Sequence, residues 1–346
     1  MIFPYLVRLA ILSLACFFLV HAALALGMNI LASRVLALAK RRKPNSAAGL
    51  LLAARLFPPV ASVLVVAGIC VPSYLWLEPE ATVEQVGFGC LAAAVLGVAS
   101  WSISAGRGLR AIGLSMRFER YCRQSGREIR FGAENTPISI VDDPAGLFAL
   151  TGILHPRLVI SREVLQSLSA EELAAALGHE RAHATSRDNL KRLLLLLAPD
   201  VFPVIPRKFA PIANRRTGWQ PALHMAGLRS LERGWAQFTE WSADDSAVAG
   251  DPLRAVTLAG ALVQVARMGA PVEASPLMTS LVADGQDLEA RVDRLLCAAL
   301  PNGENPGKGR PRLLVAIVFT AGFFVAAVSA PATLQAAHQL LEYLIR

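Results

Sequence analysis

The sequence predicts a multi-pass α-helical membrane protein with four spans and an α+β domain of about 200 residues between the third and fourth. Three observations carry this reading. Of the 346 residues, 54% are hydrophobic and only 17% charged, less charge than a soluble chain carries. The apolar residues gather in runs near the roughly 20 residues needed to cross a bilayer. Basic clusters stand beside those runs, where they act as topology signals.

The first span is expected over residues 9–26 and extends toward Ile2 if Arg8 reaches the interface. A cleaved signal peptide is the rival reading, but cleavage would leave Arg34, Lys40, Arg41, Arg42 and Lys43 outside, against the positive-inside rule. Residues 57–76 form the second span, with Arg55 at its entry, and the acidic loop holding Glu78, Glu80 and Glu84 follows it. Residues 86–104 form the third, followed by Arg107, Arg110, Arg117, Arg120 and Arg123. Lys308, Arg310 and Arg312 precede a fourth at 313–332. All three basic clusters agree on an outside N-terminus, an inside domain and a short outside C-terminal tail. The expected division is therefore 1–104 for the membrane region, 105–311 for the cytoplasmic domain, and 312–346 for the last span and tail.

Within the domain a helix is expected over 107–124, ended by Gly126, then strands over 137–142 and 150–160. Pro156 marks the second strand as a sheet edge, to which an extended peptide can add itself. Ser169 and Glu172 form a capping-box start for one helix over 169–190. Residues 190–206, cut by Pro199, Pro203 and Pro206, fit a core helix or a segment against the bilayer surface, and 207–229 a mobile loop. Helices follow over 231–249, ended by Gly250, over 252–267 and over 287–300. The last carries Arg291 and Arg294 and is read as scaffold. Residues 301–311 form a linker into the fourth span.

The chemistry concentrates in His179-Glu180-Arg181-Ala182-His183. At 3.6 residues per turn the two imidazoles lie one above the other and can hold one Zn²⁺. Such an ion lowers the pKa of a bound water to roughly 7. Glu180, turned about 100° from His179, stands beside the ion as the proton shuttle. On the later helix Glu240 and Asp244 share a face at i and i+4. Glu240 is the expected third ligand and Asp244 the acceptor for a ligand histidine N–H. The competing reading of this face is a solvated acidic surface, although Phe238 and Trp241 nearby are unusual for one. His224, Arg229 and Arg233 are open choices for stabilising an oxyanion.

These residues, with Arg187-Asp188-Asn189 and the Gly152–Ser161 stretch, resemble the BlaR/MecR-type membrane metallopeptidases and, more distantly, the HtpX/Ste24 family. The resemblance implies a gluzincin-like metallopeptidase domain, a substrate-binding strand that includes Gly152, Ile153, Leu154, His155 and Arg157, and cleavage of a cytoplasmic transcriptional repressor in signal transduction. His155 reads as a surface strand residue ahead of a substrate or metal contact. The best-known members carry an extracellular sensor after the last span, where about 14 residues remain here. A signal would then enter through the spans, the outer loops or a partner protein. A quality-control peptidase of the bacterial-type inner membrane is the second reading. A non-enzymatic transducer or scaffold with a coincidental pentapeptide is the third, and it requires no bound metal.

The formal net charge of +8 does not point to direct nucleic-acid binding, because the basic residues flank apolar spans. Five cysteines, none in a C-x-x-C pair, supply neither a disulfide framework nor a thiolate metal site.

Overall fold

The computed structural model describes residues 4–78, 85–131, 136–142, 146–201, 226–269, 275–282 and 287–298, with four positions near 335. Three helical stretches are long and apolar enough to cross a membrane. Helix α1 is Tyr5–Lys40. Helix α2, Pro44–Val65, runs through one π-helical turn, Val66–Cys70, into α3, Val71–Leu77. Pro58 and Pro59 lie inside α2. The π turn lies just before Pro72, which has no N–H for the Gly68 carbonyl and whose ring crowds it, so the ladder widens there.

Helix α4, Phe88–Ser125, joins what the sequence predicts as a span and a separate basic helix. At 1.5 Å per residue its 38 residues reach about 57 Å, nearly twice the hydrocarbon thickness. No helix breaker falls where 104 meets 105, and Gly126 caps the end as expected. The fourth expected span, most of the 207–229 loop and the 301–311 linker lie outside the described residues.

A five-stranded mixed sheet follows α4. Its strands are β1 Arg127–Phe131, β2 Thr136–Val141, β3 Phe148–Thr151, β4 Arg157–Ser161 and β5 Thr279–Ser280, in the order β1-β2-β4-β3-β5. The expected strand over 150–160 is instead a hairpin, with Thr151 opposite Arg157. Gly152 sits at φ +92°, a left-handed turn position that a side chain resists. The edge assignment is overturned as well, since β4 pairs with β2 on one side and β3 on the other. Pro156 lies in the turn, where no ladder N–H is required, and Leu158-Val159-Ile160 is the continuous apolar run of a strand covered on both faces. Alternation assigns those faces: Ile138, Phe148, Leu158 and Ile160 pack toward the domain helices, whereas Val141, Ala149 and Val159 pack with Cys122 of α4.

Helix α5, Arg162–Ser167, precedes α6, Ala170–Ser186, whose capping box between Ser169 and Glu172 is formed in full. The single helix expected over 169–190 is broken at Arg187, which adopts a left-handed conformation at φ 54°, ψ 44°. Helix α7, Asp188–Leu197, starts in a new direction. After it come α8 Ala226–Val248, α9 Pro252–Arg267 and α10 Leu288–Ala298. Helix α8 starts inside the stretch predicted as a loop. One side of it buries Leu231, Trp235 and Phe238 against Ala25, Ala32, Ala39 and Leu51 of α1 and α2. This accounts for the aromatic residues beside an acidic face: α8 lies between the membrane helices and α6.

Candidate metal centre

Helices α6 and α8 face each other with small residues at their contact, Gly178 lying against Ala247. The close approach brings three donor atoms to one point. His179 Nε2 is 3.1 Å from His183 Nε2, and Glu240 Oε2 is 3.4 Å from the first and 3.7 Å from the second. Tetrahedral ligands on bonds near 2.1 Å have edges of roughly 3.4 Å, so the spacing fits one dication.

The outer side of each imidazole supports the same reading. His179 Nδ1 is 2.9 Å from Asp244 Oδ1, and His183 Nδ1 is 2.8 Å from Asp188 Oδ2. A carboxylate on Nδ1 favours the tautomer whose proton is there, which leaves the Nε2 lone pair free to face the point where the three donors meet. Both histidines are buried, while Glu240 is 12% exposed. Among the described residues Glu180 Oε1 is buried without a hydrogen-bond partner, and Glu240 Oε2 is buried with only the two imidazoles and the Arg291 guanidinium near it, the condition expected of oxygens aimed at a metal or at its water.

Burial pushes the Glu180 carboxyl up to about 7, against the pull of His183 and His179. Burial opposes the charged form of His183 too, but Glu240 and Asp188 outweigh it and raise that imidazole. Glu240 lies well below the usual carboxylate range, because His183, His179 and Arg291 overcome its burial. Asp244 is lowered in the same sense, chiefly by Arg291.

Three contributors were not anticipated. Arg291, read from sequence as scaffold, grips Asp244 with two bonds of 2.9 and 2.7 Å and places Nη1 3.2 Å from Glu240 Oε2. Its signal was a charge on the apolar stripe of α10, in register with Leu288, Val292 and Leu295. Asp188 stood in the motif but without a role. Thr279 of β5 donates to Glu180 Oε2 at 3.4 Å, and nothing local marks it.

Of the expected substrate strand, Gly152, Ile153, Leu154 and His155 form the hairpin turn, and Arg157 begins β4. Asn189 of α7 ties that turn down by donating to the Leu150 and Gly152 carbonyls at 3.2 and 2.8 Å. His155, Arg157, Glu180 and Arg181 share a cavity of about 330 Å³ between α6 and the sheet. Arg229 lies by another cavity beside Arg55, and His224 falls outside the described residues.

Apolar helices of spanning length, a mixed sheet, and an H-E-x-x-H helix facing a carboxylate helix are the features that a membrane-associated metallopeptidase would combine. Residues 117–249 match the model of Peptidase family M48, from the end of α4 to the end of α8. No curated protein matches the chain.

Proposed function

We propose that this protein is an integral-membrane zinc endopeptidase that hydrolyses peptide bonds of a cytoplasmic protein. The observation that carries the reading is the convergence of His179 Nε2, His183 Nε2 and Glu240 Oε2 beside the buried Glu180. Two imidazoles and a carboxylate are the donor set of a catalytic zinc with an open position. When bound there, the ion supplies Lewis acidity that polarises the scissile carbonyl and makes water acidic enough to attack it.

The chain's own groups do the rest. Thr279 holds Glu180 Oε2, leaving Oε1 to accept the proton of the attacking water and deliver it to the departing amine nitrogen. Asp188 and Asp244 fix the ring orientations. Arg291 neutralises Asp244 and stands against Glu240. The cavity lined by His155 and Arg157 opens beside Glu180 and accommodates a substrate side chain. The basic clusters support an inner-membrane placement with the domain in the cytoplasm.

The resemblance to BlaR/MecR-type proteins supports cleavage of a transcriptional repressor as the output, with the signal entering through the spans or a sensor partner. The HtpX/Ste24 resemblance supports quality control of membrane proteins at the same site. The test has two arms. Full-length protein purified without chelators is assayed for metal and for cleavage of a peptide library, beside Glu180→Gln. About one equivalent of zinc in both, with cleavage only in the wild type, upholds the reading; wild type without zinc overturns it and leaves a transducer or scaffold. Comparing cytoplasmic cleavage products in cells with and without the gene then separates one cut repressor from many cut membrane proteins.

A further inference from the structure

A second cavity, of about 420 Å³, lies between the membrane helices and the domain. Its construction is extensive. After α7 the chain turns into a short segment seated against α1, α2 and α4. His21 Nε2 donates to the Pro199 carbonyl at 3.1 Å, Ser100 donates to the Asp200 carbonyl at 2.8 Å, and Arg107 donates to the Ala198 carbonyl at 3.0 Å. The Asp200 carboxylate is shared by Arg55 at 2.7 Å and Arg107 at 2.5 Å. Arg55, only 3% exposed, also holds Glu232 of α8 at 2.6 Å.

The charges do not balance. Among the described residues, Arg55, Arg107, Arg192 and Arg229 line the cavity with only Asp200 and Glu232 as carboxylates. Among the described residues Arg229 has no carboxylate partner, and Nε of Arg107 and of Arg192 is buried without a hydrogen bond. Arg192 reaches Glu240 from the far side, Nη2 to Oε1 at 3.8 Å, so its charge is directed partly elsewhere.

Depth identifies the kind of anion. His21 falls inside the apolar run that ends at residue 26, and Arg107 comes three residues after the run that ends at 104. The cavity therefore sits where the apolar parts of the helices give way to their basic ends, the level of lipid phosphates. Guanidinium forks suit a tetrahedral oxyanion with several acceptor oxygens. We propose that this cavity is a binding site for a phosphate-bearing anion, supplied by an anionic phospholipid headgroup or by free phosphate. The site meets the metal centre only where Arg192 approaches Glu240, and it does not depend on the peptidase reading.

The test uses full-length protein in detergent, titrated with phosphatidylglycerol or phosphatidylcholine and followed by native mass spectrometry, with inorganic phosphate as competitor. Wild type should retain phosphatidylglycerol in preference to phosphatidylcholine. Arg107→Gln with Arg229→Gln should weaken that preference by about tenfold. Arg229→Gln alone, at an exposed position with no ion pair among the described residues, serves if the double variant melts early. Displacement of the lipid by inorganic phosphate identifies the phosphate group as sufficient; a preference that needs both arginines yet resists phosphate identifies the lipid as the source. Equal retention of the two lipids, or a preference unchanged by the substitutions, overturns the proposal.

Discussion

Asp188 Oδ2 stands 2.8 Å from His183 Nδ1, although the two residues belong to different helices. The contact exists because Arg187 takes a left-handed conformation and turns the start of α7 back toward the face that α6 has just presented. Lys191 donates to the other Asp188 oxygen at 2.8 Å, which keeps the carboxylate oriented. Removing such an outer partner of a ligating histidine costs about 10–100-fold in metal affinity. Asp188→Ala should weaken zinc binding by that factor in a chelator competition. Its far-ultraviolet circular dichroism should match wild type.

Arg291 and Asp244 form a buried, two-bond ion pair, with side chains 5% and 1% exposed. Taking away one member leaves the other charged in a dry site, at a cost of about 3–5 kcal/mol. Arg291→Met should lower stability to urea by that amount. Replacing Asp244 by Leu as well should recover much of the loss, because the Asp244 carboxylate is then no longer left unpaired, and Glu240 keeps the two imidazoles. The double variant still loses the Nδ1 partner of His179, so its zinc affinity should stay low while its stability returns. A parallel recovery of both quantities would contradict the separate roles assigned here.

What was legible in the sequence is what a helix period or a cap encodes locally. His179 and His183 on one face, the Ser169 and Glu172 cap, the stop at Gly250 and Pro252 opening α9 all follow from spacing and residue type. The Arg187 break was hidden because nothing in an arginine announces a positive φ, and the hairpin at Gly152 because apolar residues continue across it. Pro156 reads as an edge-strand residue but lies in the turn before β4, where it says nothing about how β4 pairs. Arg291 and Thr279 reach the site only through tertiary packing, more than 90 residues from Glu180 in sequence. No local pattern relates them to it.

The Gly152 turn offers a test of how firmly the hairpin beside Glu180 is held. A Cβ there would come within 2.9 Å of the His155 carbonyl oxygen, on a backbone already at φ +92°. Gly152→Ala should therefore destabilise the protein by about 1–3 kcal/mol. Loss of peptide cleavage should accompany it, because the displaced turn carries His155 and Arg157 into the cavity they share with Glu180. Zinc content should be unaffected, since no donor atom lies on the hairpin.

Glu180 links stability and rate to pH with opposite signs. Burial raises its carboxyl from an ordinary value of 4.5 to about 7, so between those values the folded chain without zinc binds the proton that the unfolded chain has released. Stability of the zinc-depleted protein therefore falls as pH rises from about 4.5 to 7, and the penalty is complete above 7. Glu180→Gln removes the penalty. The depleted variant should melt above depleted wild type at pH 8, the gap closing toward pH 4.5. Catalysis runs the other way, because only the carboxylate can accept the water's proton. A bound dication favours that carboxylate, so the acid limb of the cleavage rate should lie at or below about 7. Differential scanning calorimetry across pH measures the first effect and the pH profile of kcat/KM the second. An acid limb well above 7, or a variant with no stability advantage at pH 8, would mean that Glu180 is not the buried base of this site.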